Sequence, residues 1–343
     1  MKKIIYTTTI FATLLTGCNF LDDNPQGIMT EKEAISKADE LVTTAYSSLG
    51  NDHYDVPFSL WIYGNVRADD AYKGGQDVSD IQHFHFYEIA QNIDPTFGEA
   101  DRFWFMCYMA ISRTNTALKA LQQASDAEVA NRQSRMGEMY FLRGHFYFVL
   151  KTIFGHIPFV DENTPDSAYE TTPNTLPNDE QWQKIVADFK KAYDLLPNTQ
   201  PQKGRADKYA AAAYLAKAYL YKAYRQSENN SVTGINSQDL QEVLTYTSFA
   251  LGSSYGLEDD FAFNFLPGGY ENGKESMFAV QYSVDDGTQY GRLNWGDQLS
   301  APQKLGCCDF HKPSQNLVNA FKTVNGLPDF DNFNNNDYNA TSD

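Results

Sequence analysis

The chain has 343 residues, long enough for one large domain or two ordinary ones with a real core. Its 44 acidic side chains against 27 basic ones leave a net charge of −17. That balance argues against a protein built to grip nucleic-acid phosphates or to dock electrostatically on an anionic membrane.

Met1 to Gly17 reads as a leader. Lys2 and Lys3 give a positive start, and the apolar, threonine-rich run from Ile4 to Leu15 is too short to span a bilayer as a mature helix. The run closes in Leu15-Thr16-Gly17-Cys18, which resembles the lipobox of bacterial lipoproteins. In such proteins cleavage falls before the cysteine, whose thiol and new amino group are acylated. Cys18 is therefore expected to carry a lipid anchor, with each buried methylene adding ~0.8 kcal/mol. Residues 1–17 are then the signal peptide and 18–29 the tether. The other cysteines, Cys107, Cys307 and Cys308, are too few for a disulfide scaffold, so apolar packing must hold the fold.

Thr30 with Glu33 forms a capping-box pattern. It opens a helix of roughly twenty residues with Ala34, Ala38, Leu41, Val42 and Ala45 on one face. Residues 51–98 break into turns (Gly64-Asn65, Gly74-Gly75) and aromatic runs, and read as a long irregular insertion of the functional kind. Helical periodicity returns over 99–121 and over 127–154, where Gly155 and Pro158 supply a stop. Further helices are expected over 179–196, 207–226 and 238–251. ADFKKAYDLLP and the alanine-rich helix after it resemble tetratricopeptide-type repeats, antiparallel helix pairs that stack into a solenoid. The fold class is therefore mainly α, with such pairs over 30–260. Residues 261–343 form an irregular, ligand-facing remainder with one strand-like run, SMFAVQYSV, and a short helix from Ser314 to Val324.

Several patterns suggest chemistry that their context does not support. GSSYG at 252–256 matches a nucleophile elbow, but a helix precedes it and Gly252 suits a C-terminal cap. His83 and His85 have no third ligand at metal spacing. DFDNFNNNDYNA lacks the glycine and glutamate of a calcium loop. Acid pairs such as Asp69-Asp70 are expected on a solvated surface, since a glycosidase needs two carboxylates set across a cleft. Adjacent Cys307 and Cys308 either close a strained ring that stiffens an apolar ligand contact or remain two thiols. Cys107, between Met106 and Tyr108 on a helix, is expected in the core. Neither a cofactor nor a metal is implied.

The lipobox with CNFLDDNPQG, WFMCYMAISRTNTAL, RMGEMYFLRGHFYFVLKTIFGHIPFV, GRADKYAAAAYLAKAYLYKAY and PSQNLVNAFKT together resemble the SusD/RagB family, over Cys18 to about Val324. The resemblance implies a non-enzymatic outer-membrane lipoprotein of Bacteroidetes-type bacteria, facing outward as a lid on a SusC-like TonB-dependent transporter and capturing oligosaccharides. Asp22-Asp23 after the anchor is similar to a surface-export signal. Family members continue well past this C-terminus, so the chain is expected to be incomplete. Trp104, Asn115, Arg143, Tyr147 and Phe154 carry the resemblance and are expected to be structural. Ligand contacts are expected from Asp70, Tyr72, Lys73, Tyr87 and Asn92 in the insertion, and from Tyr290, Asn294 and Trp295, with Cys307 and Cys308 beside them. The 14% aromatic content suits stacking on sugar rings. Peptide capture on the same architecture and a protein-binding helical scaffold are the alternatives.

Overall fold

The computed structural model describes residues 29–50, 60–94, 96, 98–283, 287, 299–305 and 308–339. Cys18, Asp22, Asp23, Tyr290, Asn294, Trp295 and Cys307 lie outside the described residues. Thr30 closes the capping box: its Oγ1 accepts from the Glu33 N–H at 3.3 Å, and its own N–H donates to Glu33 Oε2 at 2.8 Å. The helix it opens is not continuous. α1 (Glu31–Ser36) and α2 (Ala38–Ser47) are separated by Lys37, whose φ of −113° and ψ of 20° are not helical. The break lets α2 lay its small buried face, Ala38, Val42 and Ala45, on the long helix α4.

α4 (Gly98–Gln123) buries Phe103, Cys107, Ala110, Ile111, Thr114, Ala117, Leu118 and Leu121, a stripe at helical spacing. α5 (Arg132–Phe154) starts five residues later than the periodicity suggests. Ser125 donates its N–H to Glu128 Oε2 at 2.7 Å in a capped turn, and Asn131 is left-handed, so regular helix begins only at Arg132. α5 is flanked by α4 and by α6 (Asn178–Leu195), and nearly every residue from Gly137 to Lys151 is buried. Gly144 suits that contact, because a Cβ there would sit 3.0 Å from the Phe189 ring of α6 and crowd it.

α7 (Lys208–Ala223) packs on α6 and on α8 (Ser237–Leu251), completing a series of antiparallel neighbours. α7 ends before residue 226. Tyr224–Gln226 turn instead into β2, paired antiparallel with β3 (Val232–Ile235) around left-handed Asn230. The N–H of Gly252 donates to the Ser248 and Phe249 carbonyls at 3.1 Å, so GSSYG is a helix terminus and not an elbow. The run SMFAVQYSV, expected as a strand, forms no ladder over 276–283 beyond an isolated bridge at Ser283. Met277, Phe278 and Val280 pack on the helical core instead, Phe278 edge-on to Phe141 at 5.2 Å. The run docks onto helices and does not pair in a sheet.

Residues 60–94 are more ordered than an irregular loop. They hold a π-helical turn (Ile62–Val66), β1 (Ala71–Gly74) and α3 (Gln82–Glu88). With Leu299 and Phe310 they build a second, smaller core around Trp61, Ile62, Val66, Phe84 and Tyr87. β4 (Phe310–Pro313) leads into α9 (Gln315–Ala320), capped by Ser314 Oγ accepting from the Leu317 N–H at 3.1 Å. α9 stops at residue 320, short of 324, where a hairpin of β5 (Thr323–Val324) and β6 (Leu327–Pro328) turns on left-handed Asn325 and Gly326. Among the described residues no helix is long and apolar enough to cross a membrane.

Candidate functional site

The helical region is closed by a buried polar network. Arg143 of α5 is 4% exposed. Its Nε and Nη2 donate to the two oxygens of Asp188 at 2.8 and 2.7 Å, and Nη1 donates to Asn115 Oδ1 at 2.8 Å and Glu162 Oε2 at 2.6 Å. Burial opposes the charge, but Asp188 and Glu162 hold the guanidinium pKa well above its ordinary value. Burial raises and Arg143 lowers the Glu162 pKa, with a net fall. The Tyr147 hydroxyl accepts from the Val160 N–H at 2.8 Å and donates to the Val160 carbonyl. Trp104 packs against Tyr108 and edge-on to Phe154, 4.9 and 5.0 Å away. These groups satisfy one another and leave little for a ligand. Cys107 is buried and free, and burial pushes its thiol up.

The second core is where distant parts of the chain meet. β1 and β4 pair antiparallel, Ala71 opposite Pro313, Tyr72 opposite Lys312 and Gly74 opposite Phe310. The crossing is so close at Gly74 (φ +74°) that a Cβ would lie 2.2 Å from the Asp309 carbonyl oxygen. Only glycine fits there. Ser314 pins the loop before β1, its N–H donating to the Asp70 carbonyl at 3.0 Å and its hydroxyl to that of Asp69. The Tyr72 hydroxyl accepts from the Gln315 N–H at 3.3 Å, while the residue stays 45% exposed. Beside it His311 stacks on Trp61 at 4.9 Å and accepts at Nε2 from Asn65 Nδ2 at 3.1 Å. The Trp61 indole N–H is buried without a partner among the described residues, an uncommon state for such a donor.

Backbone strain gathers in the same place. Of the 11 described non-glycine residues with positive φ, Leu60, Asp69, Ile81, Ala90, Asn92, Asp309 and His311 belong to this module. Such conformations cost of order 1 kcal/mol or more each, and they cluster where the surroundings impose them for function.

Of the residues expected to touch a ligand, Asp70 and Tyr72 are exposed here and brought beside α9 and β4. Asn92 is exposed and left-handed in the segment after α3. Cys308 is half-buried against the second core, donates its N–H to the Ala301 carbonyl at 3.1 Å and is disulfide-bonded. Cys107 is free, so the partner of Cys308 lies outside the described residues. Two expectations need correction. Lys73 is 3% exposed: Nζ donates to the Asp77 and Asp80 carbonyls at 2.7 and 2.5 Å and lies 5.2 Å over the Phe310 ring. Burial lowers its pKa, with Asp80 and Glu88 opposing the fall. Tyr87 is buried edge-on to Tyr63 at 5.3 Å, which raises its pKa. Both shape the module from inside. Trp61, Asn65, His311 and Gln315 were not singled out by sequence, and Trp61 in the apolar run LWIYGNV is the one whose burial its spacing could have signalled. His83 pairs with Glu99 across α3 and α4, and no cluster of metal-ligating side chains occurs among the described residues.

The architecture defines a class: a helical-repeat protein whose long insertion joins a later segment in a separate loop-built module. Residues 19–220 match the profile of a SusD-like family described as starch-binding and associating with the outer membrane, and the chain belongs to that family. SusD-like protein P2 of Formosa agariphila is 26% identical over 221 residues, 62% of this chain and 42% of that relative. A SusD-like protein from Bacteroides fragilis superposes with a TM-score of 0.64 at 19% identity, covering 89% of this chain and 55% of the other. Surface glycan-binding protein A from Bacteroides thetaiotaomicron, solved with laminarihexaose, gives 0.55 at 22% identity, with 71% and 49% covered. At these identities the solved structures speak for the fold. The chain spans about half the length of the relatives it matches.

Proposed function

We propose that this chain is a cell-surface lipoprotein of a Bacteroidetes-type bacterium, anchored through Cys18 in the outer membrane. It binds oligo- or polysaccharides and passes them, unmodified, to a partner TonB-dependent transporter. One observation carries the reading: an exposed tyrosine, Tyr72, is fixed through its hydroxyl by the Gln315 N–H, opposite Lys312, on a strained ribbon built from two distant chain segments. An aromatic face beside hydrogen-bonding carboxylates and amides is the chemistry a sugar ring needs, apolar on its C–H face and polar at its rim. Tyr290, Asn294 and Trp295 are proposed as further contacts on the strength of the sequence. The family description supports the reading, as do relatives solved with laminarihexaose and with a xylogluco-oligosaccharide. Each ring stacked on sugar contributes ~1 kcal/mol. A few such contacts give micromolar to millimolar affinity, ~4 to 8 kcal/mol, weak enough for release into a pore.

The test is calorimetric titration of the chain from residue 19 onward against plant, microbial and host polysaccharides, with Tyr72→Ala and Trp295→Ala alongside. Saturable binding without turnover, weakened in both variants, supports capture. Silence across the panel with binding to peptides contradicts it in favour of peptide uptake. Labelling of the intact gene product with palmitate, lost in Cys18→Ala, tests the anchor.

A further inference from the structure

A second feature lies on the helical region, away from the β1–β4 module. A cleft of about 150 Å³ opens between α6 and the segment after α5, lined by Arg143, Tyr147, Phe159, Lys184, Asp188 and Lys191 among others. That is room for a small anionic group with part of the ring that bears it. Its floor is largely committed to internal partners. Arg143 already donates four hydrogen bonds, Asp188 takes two of them, and Asp161 accepts from Asn163 and Thr164.

The rim differs. Lys184 and Lys191 stand two turns apart on one face of α6, and each side chain is exposed. Ala187 lies between them and leaves the gap open. Neither ammonium has an ion pair or hydrogen bond among the described residues, although acids outnumber bases 44 to 27 in the chain. Each is instead laid on a ring, Lys184 Nζ 5.9 Å over Phe159 and Lys191 Nζ 4.5 Å over Tyr140. The neighbouring Lys190, by contrast, is paired with Asp194. The rim thus carries two uncommitted cations, pre-positioned by aromatic rings at either side of an opening.

We infer, resting on the glycan reading above, that this cleft is a subsite for an anionic substituent of the glycan, a uronate carboxylate or a sulfate ester, held between Lys184 and Lys191. Charge-assisted contacts from two ammoniums favour an acidic sugar over its neutral counterpart by roughly tenfold at low salt. Because the rim is solvated, that preference shrinks as salt shortens the screening length.

The test titrates the chain from residue 19 onward with an oligogalacturonate and with its methyl ester, which keeps the backbone and removes the charge. A sulfated galactan oligosaccharide and its desulfated form make the second arm and distinguish the two sources of negative charge. The expected result is tighter binding of the charged member of at least one pair, abolished in the Lys184→Gln/Lys191→Gln double variant and retained in Lys184→Arg/Lys191→Arg. Both substitutions fall on exposed side chains, and Tyr72 is untouched. Equal affinity within both pairs overturns the assignment, as does a preference that survives the glutamine variant. Binding of a neutral panel glycan with no response to any acidic one overturns this assignment alone. Absence of binding to every glycan overturns the glycan reading and this subsite with it.

Discussion

Arg143 and Lys73 are both buried cations, and they are held in different ways. Arg143 is enclosed by side chains, with carboxylates from α6 and from the segment after α5 and an amide from α4. Lys73 is enclosed by main chain, its ammonium bonded to the carbonyls of Asp77 and Asp80 and its backbone N–H to Glu88. The first arrangement ties regular helices together at a fixed distance. The second gives shape to the turn between β1 and α3. A scaffold of the first kind can stay constant while a module of the second kind changes its surface, which suits a family whose members share a fold and differ in ligand.

The sharpest way to break this contrast is to remove Arg143. Arg143→Met leaves Asp188 and Glu162 buried without their cation, and is expected to cost ~3 to 5 kcal/mol of global stability in denaturant unfolding. A loss below 1 kcal/mol would mean that the network does not join the helices.

Gly74→Ala is the counterpart in the module. Its Cβ meets the Asp309 carbonyl and its φ becomes strained, so ~1 to 3 kcal/mol is expected, confined to the β1–β4 ribbon. Helical circular dichroism should be kept while glycan affinity falls. Loss of the helical signal together with the ribbon would show that the two regions fold as one.

A pH-dependent difference comes from His145 on α5, whose ring packs against Tyr214. Burial, with a smaller effect of Lys217, pushes its pKa down to about 4. A depressed histidine favours the folded state while neutral. That contribution is complete above the unfolded value near 6.5 and is lost as pH falls toward about 4. Stability measured across this window should decline, and His145→Phe should flatten the decline. An unchanged slope in the variant would assign the acid sensitivity elsewhere.

Tyr72→Ala is expected to have the smallest effect. It should reduce glycan affinity about fivefold, ~1 kcal/mol, with the unfolding midpoint unchanged.

The helical region was largely legible from local chemistry. Thr30 and Glu33 announce a cap, Gly252 a stop, and the alanines of α7 a close neighbour. What failed there was also local: the alanine-rich pattern runs on past Ala223, but Asn229 and Asn230 turn the chain into a hairpin. SMFAVQYSV reads like a strand, yet Met277, Phe278 and Val280 dock on the helical core without a sheet partner among the described residues. The module was only half legible. Its insertion is visible as a break in periodicity, yet Tyr72 meets Gln315 across 243 residues, and no local pattern encodes that pairing. Lys73, between a tyrosine and two glycines, reads as exposed, since only the folded loop supplies the carbonyls that enclose it.

The most direct test of where ligand binds is hydrogen–deuterium exchange of the chain from residue 19 onward, with and without the panel glycan that gives saturable binding. Slowed exchange at residues 65–75 and 308–315, with the helical core unchanged apart from the rim of α6 when the glycan is acidic, is the predicted result. Protection confined to the helices, with the β1–β4 ribbon exchanging as in the free protein, would contradict it.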